Sequence, residues 1–131
     1  MLYRRIPPIA RYVDTDEMGR TRPSGLNFMP DTGEPYLSVE LRDDDDPQGH
    51  LKSLLLHPDS KPGSGAFEID VETLRELGLT VRYEPEYGER HFGVYGWESF
   101  PKKEAVRVRR KASYRARVVH PPTIQEEMRF Y

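Results

Sequence analysis

The sequence predicts an α+β domain. The expected form is a small, mainly antiparallel sheet of four to six strands with two or three short helices and long Pro/Gly-rich loops. Three observations lead there. Short alternating apolar runs recur at Leu2–Ile6, Tyr36–Leu41, Leu79–Tyr83 and His91–Tyr95, the period of a half-buried strand. Helix starts stand between some of them, at Asp46-Pro47 and Asp70. Twelve prolines and ten glycines break up a chain of 131 residues, a length that fits one domain over 1–131.

In chain order, Leu2 to Ile6 reads as a first strand, ended by Pro7-Pro8, which lack ladder donors. Residues 9–22 read as a long loop, with Asp14, Asp16 and Gly19 as turn residues. Leu26-Asn27-Phe28 is expected to be extended, and Pro30-Asp31-Thr32-Gly33 to turn. After the 36–41 strand, Asp46 caps a helix opened by Pro47, with Leu51, Leu54 and Leu55 on one face and His57-Pro58 as the stop. The connector Asp59–Gly65 leads to an extended Phe67–Ile69. Asp70 then caps a helix through Leu77, and Gly78 stops it. The strands 79–83 and 91–95 form a hairpin around Glu84–Arg90, with Gly88, Gly93 and Gly96 read as its glycines and Glu84, Glu86 and Glu89 as turn composition. Residues 101–113 are expected to be helical, with Ala105, Val108, Ala112 and Ala116 at helical spacing, and 115–119 a strand, although 106–109 and 114–118 also alternate as strands do. Pro121-Pro122 precedes a polar tail with room for one helical turn. The helices are expected to pack on one face of the sheet.

Charge is segregated. From Lys102 to Arg117 the chain carries eight basic residues against the single acid Glu104, a local charge of +7 where the total is −2, which leaves −9 for the rest. Such a strip is a candidate surface for an acidic protein partner or RNA. Arg107, Arg109, Arg110, Lys111, Arg115 and Arg117 are its candidate contacts, with Tyr114 available to stack on a base. Arg20 and Arg22, in a loop with Ser24, add two guanidiniums suited to bidentate recognition of a phosphate or carboxylate. Asp43–Asp46 lacks the spaced ligands of a calcium loop and reads as solvated loop ending in a cap. His50, His57, His91 and His120 are scattered, without the third ligand of a zinc site. His91, at a strand start, is a candidate acid–base or phosphate ligand.

The absence of cysteine excludes disulfides and thiolate chemistry. With no apolar run longer than Leu54-Leu55-Leu56 and no signal-like segment, a cytoplasmic protein with no membrane contact is expected. No Walker loop, dinucleotide fingerprint or Gly-x-Ser-x-Gly elbow is present, so no cofactor is expected.

Tyr3-Arg4-Arg5-Ile6-Pro7, Arg22-Pro23-Ser24, Leu37-Ser38-Val39, Leu77-Gly78-Leu79, Glu84-Pro85, His91 and Gly96 together resemble a pattern of small uncharacterised bacterial proteins with no established activity. The resemblance spans nearly the whole chain and implies one intact small domain. Small bacterial domains of this kind often act inside multi-component systems of the toxin–antitoxin or phage-defence type. The order Arg4 or Arg5, Ser38, then Glu126 or Glu127 is similar to that of ADP-ribosyltransferase-like NAD-binding enzymes. That likeness implies an arginine on the NAD phosphates, a serine shaping the nicotinamide pocket and a glutamate stabilising a ribosyl cation.

The leading expectation is a non-catalytic interaction protein that binds an acidic partner through 102–117 with Arg20 and Arg22. The alternative is an enzyme or sensor of a phosphorylated ligand, with Arg4 or Arg5, Arg22, Ser38 and His91 converging in a cleft. A structural subunit is a third, marked by an aromatic patch of Trp97, Phe100, Phe130 and Tyr131. The sequence leaves the oligomeric state open.

Overall fold

The computed structural model describes residues 1–30 and 34–124. Eight strands and three helices follow one another: β1 (Leu2–Ile6), β2 (Val13–Thr15), β3 (Thr21–Pro23), β4 (Tyr36–Leu41), α1 (Pro47–Leu56), β5 (Gly65–Ile69), α2 (Val71–Glu76), β6 (Thr80–Tyr83), β7 (His91–Tyr95), α3 (Lys102–Arg115) and β8 (Arg117–His120). Six strands form one sheet in the order β6-β7-β4-β1-β5-β8, and every adjacent pair is antiparallel. β4 and β5 both oppose β1 and so run parallel to each other, which makes α1 a crossover over the central strand.

The elements form where the local chemistry favours them. Asp46 accepts from the Gly49 N–H at 3.0 Å and Pro47 opens α1, the cap expected of that pair. Asp70 likewise accepts from Glu72 N–H, and Gly78, at φ +91°, ends α2 in a conformation costly for any side chain but hydrogen.

Alternation gives the sheet two faces. Leu2, Ile6, Leu37, Val39, Phe67, Ile69 and Val94 point to one, where Leu74 of α2, Val108 and Ala112 of α3, Phe28 and Trp97 close the main core. Tyr3 and Ala66 point to the other and meet Leu51 and Leu54 of α1. The helices therefore do not share one face: α1 lies opposite α2 and α3. β5, buried at all five positions, is the strand covered on both sides.

Three further expectations change. Residues 9–22 are not simply loop, because β2 and β3 pair as a hairpin closed by Asp16, whose carboxylate accepts from the Met18 and Arg20 N–H groups at 2.9 and 2.8 Å. Gly25–Phe28 is a 3-10 turn rather than extended, which lets Phe28 drop into the core. Trp97 is buried there as well, its indole N–H donating to Val94 O at 2.9 Å, so it forms no exposed patch. The proposed turn at Asp31–Gly33 and the tail from Gln125, including Glu126, Glu127, Phe130 and Tyr131, lie outside the described residues.

Candidate functional site

The basic strip is a helix for all but its last basic residue. Ala105, Val108, Ala112 and Ser113 are buried, and the Ser113 hydroxyl donates to Pro23 O on β3. This orientation is dictated by the apolar spacing, and it turns the charges outward. Lys103, Arg107, Lys111 and Arg115 recur at every fourth position and stand as one ridge. Lys102, Val106, Arg110 and Tyr114 form the ridge beside it.

Between the first ridge and the end of α2 runs a groove. Its larger part, about 420 Å³, is walled by Leu77 and Val108 with Lys103, Arg107 and Lys111. A shallower extension of about 200 Å³ continues past Leu77 to Tyr114 and Arg115. Glu76 and Glu104 stand on the same groove. None of Lys103, Arg107 and Lys111 has an ion pair within 4.0 Å among the described residues. Among the described residues, Arg115 reaches the Thr73 hydroxyl, at 3.4 Å, and no acid.

The other sequence candidates sort around this groove. Arg22 places its guanidinium 4.0 Å from the centre of the Tyr114 ring, beside the groove's end, and stands 4.0 Å from Asp14. Arg20 is held by Asp16 at 3.1 Å, away on the hairpin turn. Ser24 is buried, its hydroxyl donating to Arg11 O at 2.8 Å, so it serves the backbone. Arg109 is half-buried with its Cβ against Gly25, while Arg110 is exposed. Arg117 belongs to β8 and binds Glu68 with two donors, at 3.0 and 2.6 Å.

The second candidate group is only partly gathered. Ser38 and His91 share the α1 face of the sheet, on the half that carries β4, β7 and β6. Arg4 instead donates to Asn27 O at 3.1 Å and Ser38 O at 2.7 Å, filling the gap where β1 and β4 part after Tyr3↔Glu40. Arg22 is remote, on the α3 side. Arg5, the alternative to Arg4, shares the α1 face with Ser38 and His91 by register, but with Arg22 on the opposite side no single cleft collects the group.

Around His91 the structure gathers Glu84, which in sequence reads as turn composition, with the strand tyrosines Tyr36 and Tyr95. Glu84 is only 8% exposed. One carboxylate oxygen accepts a short hydrogen bond from the Tyr95 hydroxyl, and the other lies 3.5 Å from His91 Nδ1. Tyr36 is the hub of a ring cluster with Tyr95, Tyr87 and His91 at centroid distances of 5.1, 6.4 and 6.2 Å. Gly93 makes room for it. A Cβ there would come within 2.4 Å of Glu84 Oε1 and 2.7 Å of the Tyr95 ring. A glycine inside a strand was the signal available in the sequence.

Glu84 fixes the Tyr95 phenol in its neutral form and pushes its pKa up to about 12, first through the hydrogen bond and then through desolvation and charge. An unfolded tyrosine titrates near 10. The stabilisation is therefore complete below about pH 10 and is lost as pH rises towards about 12. Tyr95→Phe should make the fall in urea midpoint over that range shallower. It should not abolish the fall, because Tyr3 and Tyr36 are also pushed up by burial. An unchanged pH profile in Tyr95→Phe would refute the role given to Glu84.

The acidic run Asp43–Asp46 is internally engaged: Asp43 with Arg90 at 3.3 Å, Asp44 with Arg42 at 2.6 Å, and Asp46 as a cap. Among the described residues, no set of three His, Asp or Glu side chains is placed to hold a metal ion, and no helix is long and apolar enough to cross a membrane. Comparison with protein-family models, with curated proteins and with solved structures found no match.

Proposed function

We propose that this chain is a non-catalytic interaction protein whose α2–α3 groove takes an acidic segment of a partner protein. The observation that carries this reading is the ridge Lys103–Arg107–Lys111–Arg115, none of whose four cations has an acidic partner within 4.0 Å among the described residues, beside a groove walled by Leu77 and Val108. Unpaired cations on a rim and apolar surface below suit a segment that supplies carboxylates and an aliphatic anchor.

RNA is the other acidic partner, and three features disfavour it. Glu76 and Glu104 stand in the groove and repel phosphates, whereas a peptide's N–H groups can use them. Arg22 already covers one face of Tyr114, the ring available for base stacking. The chain's total charge is −2, so its long-range field does not concentrate nucleic acid.

A helix of 14 residues is about 21 Å long, which an extended peptide crosses in about six residues. The test is fluorescence anisotropy with a labelled peptide of about that length, bearing glutamates around two leucines, beside an oligo(U) RNA of matching length. The peptide should bind the more tightly. Arg107→Glu with Lys111→Glu should weaken it at least about tenfold, about 1.4 kcal/mol, and raised salt should weaken it too. Tighter RNA binding, or equal peptide binding by the double variant, would overturn the proposal.

A further inference from the structure

A second cluster of polar and aromatic side chains lies on the opposite face, away from the groove. α1 packs on β1 and β5, leaving the β4–β7–β6 half of its face to Tyr36, Ser38, His91, Tyr95 and Arg82 by strand register. The Glu84 carboxylate is sunk into this half, in the space that Gly93 leaves. Its Oε1 is buried and has no hydrogen-bond partner among the described residues, and neither has His91 Nδ1 beside it. At 3.5 Å the two are neighbours without hydrogen-bond geometry. A buried carboxylate oxygen left unpaired is costly and calls for a donor, preferably a charged one.

The surroundings define what kind of donor. The carboxylate holds the Tyr95 hydroxyl and lies beside His91, both members of the ring cluster that includes Tyr36 and Tyr87, and aromatic faces attract cations. The cluster already holds one cation on its outer side, where the Arg82 guanidinium lies 4.7 Å from the centre of the Tyr95 ring. Glu86 and Glu89 on the adjoining loop add negative charge. Arg90, the loop's one cation, is turned away to Asp43 at 3.3 Å. Tyr87, 63% exposed on its 3-10 turn, is the ring of the cluster that faces solvent.

We propose that Glu84, framed by Tyr36, Tyr87 and Tyr95, is a binding site for an organic ammonium group. Glu84 Oε1 supplies the charge, and the tyrosine faces supply cation–π contact and a wall for the methyl or methylene groups. Such a head group comes either from a small free amine or from a lysine-type side chain on another protein. Both present the same chemistry to this site.

The experiment is calorimetric titration of the full chain with n-butylamine, protonated at neutral pH, and, separately, with an N-acetylated, amidated monomethyllysine, both of which keep N–H donors for Glu84 Oε1. Saturable binding of either is expected. Binding of butylammonium alone identifies a small free amine as the source, and binding of the lysine derivative alone identifies a protein side chain. Glu84→Gln should weaken binding at least about tenfold, and so should Tyr87→Ala, an exposed position whose unfolding midpoint should match the parent's. No saturable binding of either probe would overturn the proposal. So would equal binding by the Tyr87→Ala variant, or equal binding of butan-1-ol, the uncharged analogue of the amine.

Discussion

Phe67→Ala is expected to cost about 3–5 kcal/mol of folding stability. Phe67 is wholly buried near the middle of β5, the strand covered on both faces. Its ring meets Phe28 at 5.2 Å between centroids, and Phe28 meets Trp97 at 6.5 Å. These three rings tie the 3-10 turn of Gly25–Phe28 and the turn after β7 to the sheet. Truncation removes the transfer free energy of a large ring and leaves a cavity that β5, bonded on both edges, cannot collapse to fill. For a chain of 131 residues, a total stability of roughly 7–20 kcal/mol is expected, so the loss is a large share of it. Urea unfolding should show a lower midpoint at unchanged slope. A loss below about 1 kcal/mol would mean that the aromatic stack does not organise this core.

The elements legible in the sequence are those whose signal is local. Asp46-Pro47 and Asp70 with Gly78 mark helix ends because a cap is a contact between residues two to four apart. β6 and β7 were legible because each alternates over at least four residues and their connection is full of turn formers. β2 and β3 were not. Each is three residues long, too short to show a period, and the Asp16 carboxylate that closes the hairpin looks in sequence like any turn aspartate. The single turn at Gly25–Phe28 fails for the same reason.

Which face a helix covers is a long-range fact. The helical spacing of Leu51, Leu54 and Leu55 shows that α1 has an apolar side, but says nothing of where that side docks. A clue was present in β5, where Gly-Ala-Phe-Glu-Ile does not alternate in burial because both sides are covered.

The candidate sites divide along the same line. The ridge on α3 follows from sequence once the helix is chosen over the strand, since residues four apart share a face. The Glu84 cluster joins β4, the 84–87 turn and β7, and needs the register Tyr36↔Tyr95 to exist at all. Gly93 was the one residue whose type announced it.

Arg117 shows where the strip stops being a surface, and Glu68 is the reason. Glu68 is 3% exposed, and its oxygens divide between two arginines: Oε1 takes both donors of Arg117, and Oε2 takes Arg42 at 3.0 Å. Removing the carboxylate leaves Arg117 without a counter-charge and Arg42 with Asp44 alone, at 2.6 Å. Glu68→Ala should therefore cost about 3 kcal/mol, the low end for a broken buried pair, because Arg117 is 74% exposed and rehydrates. Arg117→Ala strips Oε1 of two charge-assisted bonds but leaves Arg42, and should cost about 1–3 kcal/mol. The acidic peptide should bind Arg117→Ala as it binds the parent, while Arg107→Glu with Lys111→Glu loses the peptide and keeps the unfolding midpoint. Loss of peptide binding without loss of stability in Arg117→Ala would return this arginine to the partner surface. The opposite pattern makes it the clamp that holds β8 to β5, and moves the end of the recognition ridge back to Arg115, the last residue of the helix.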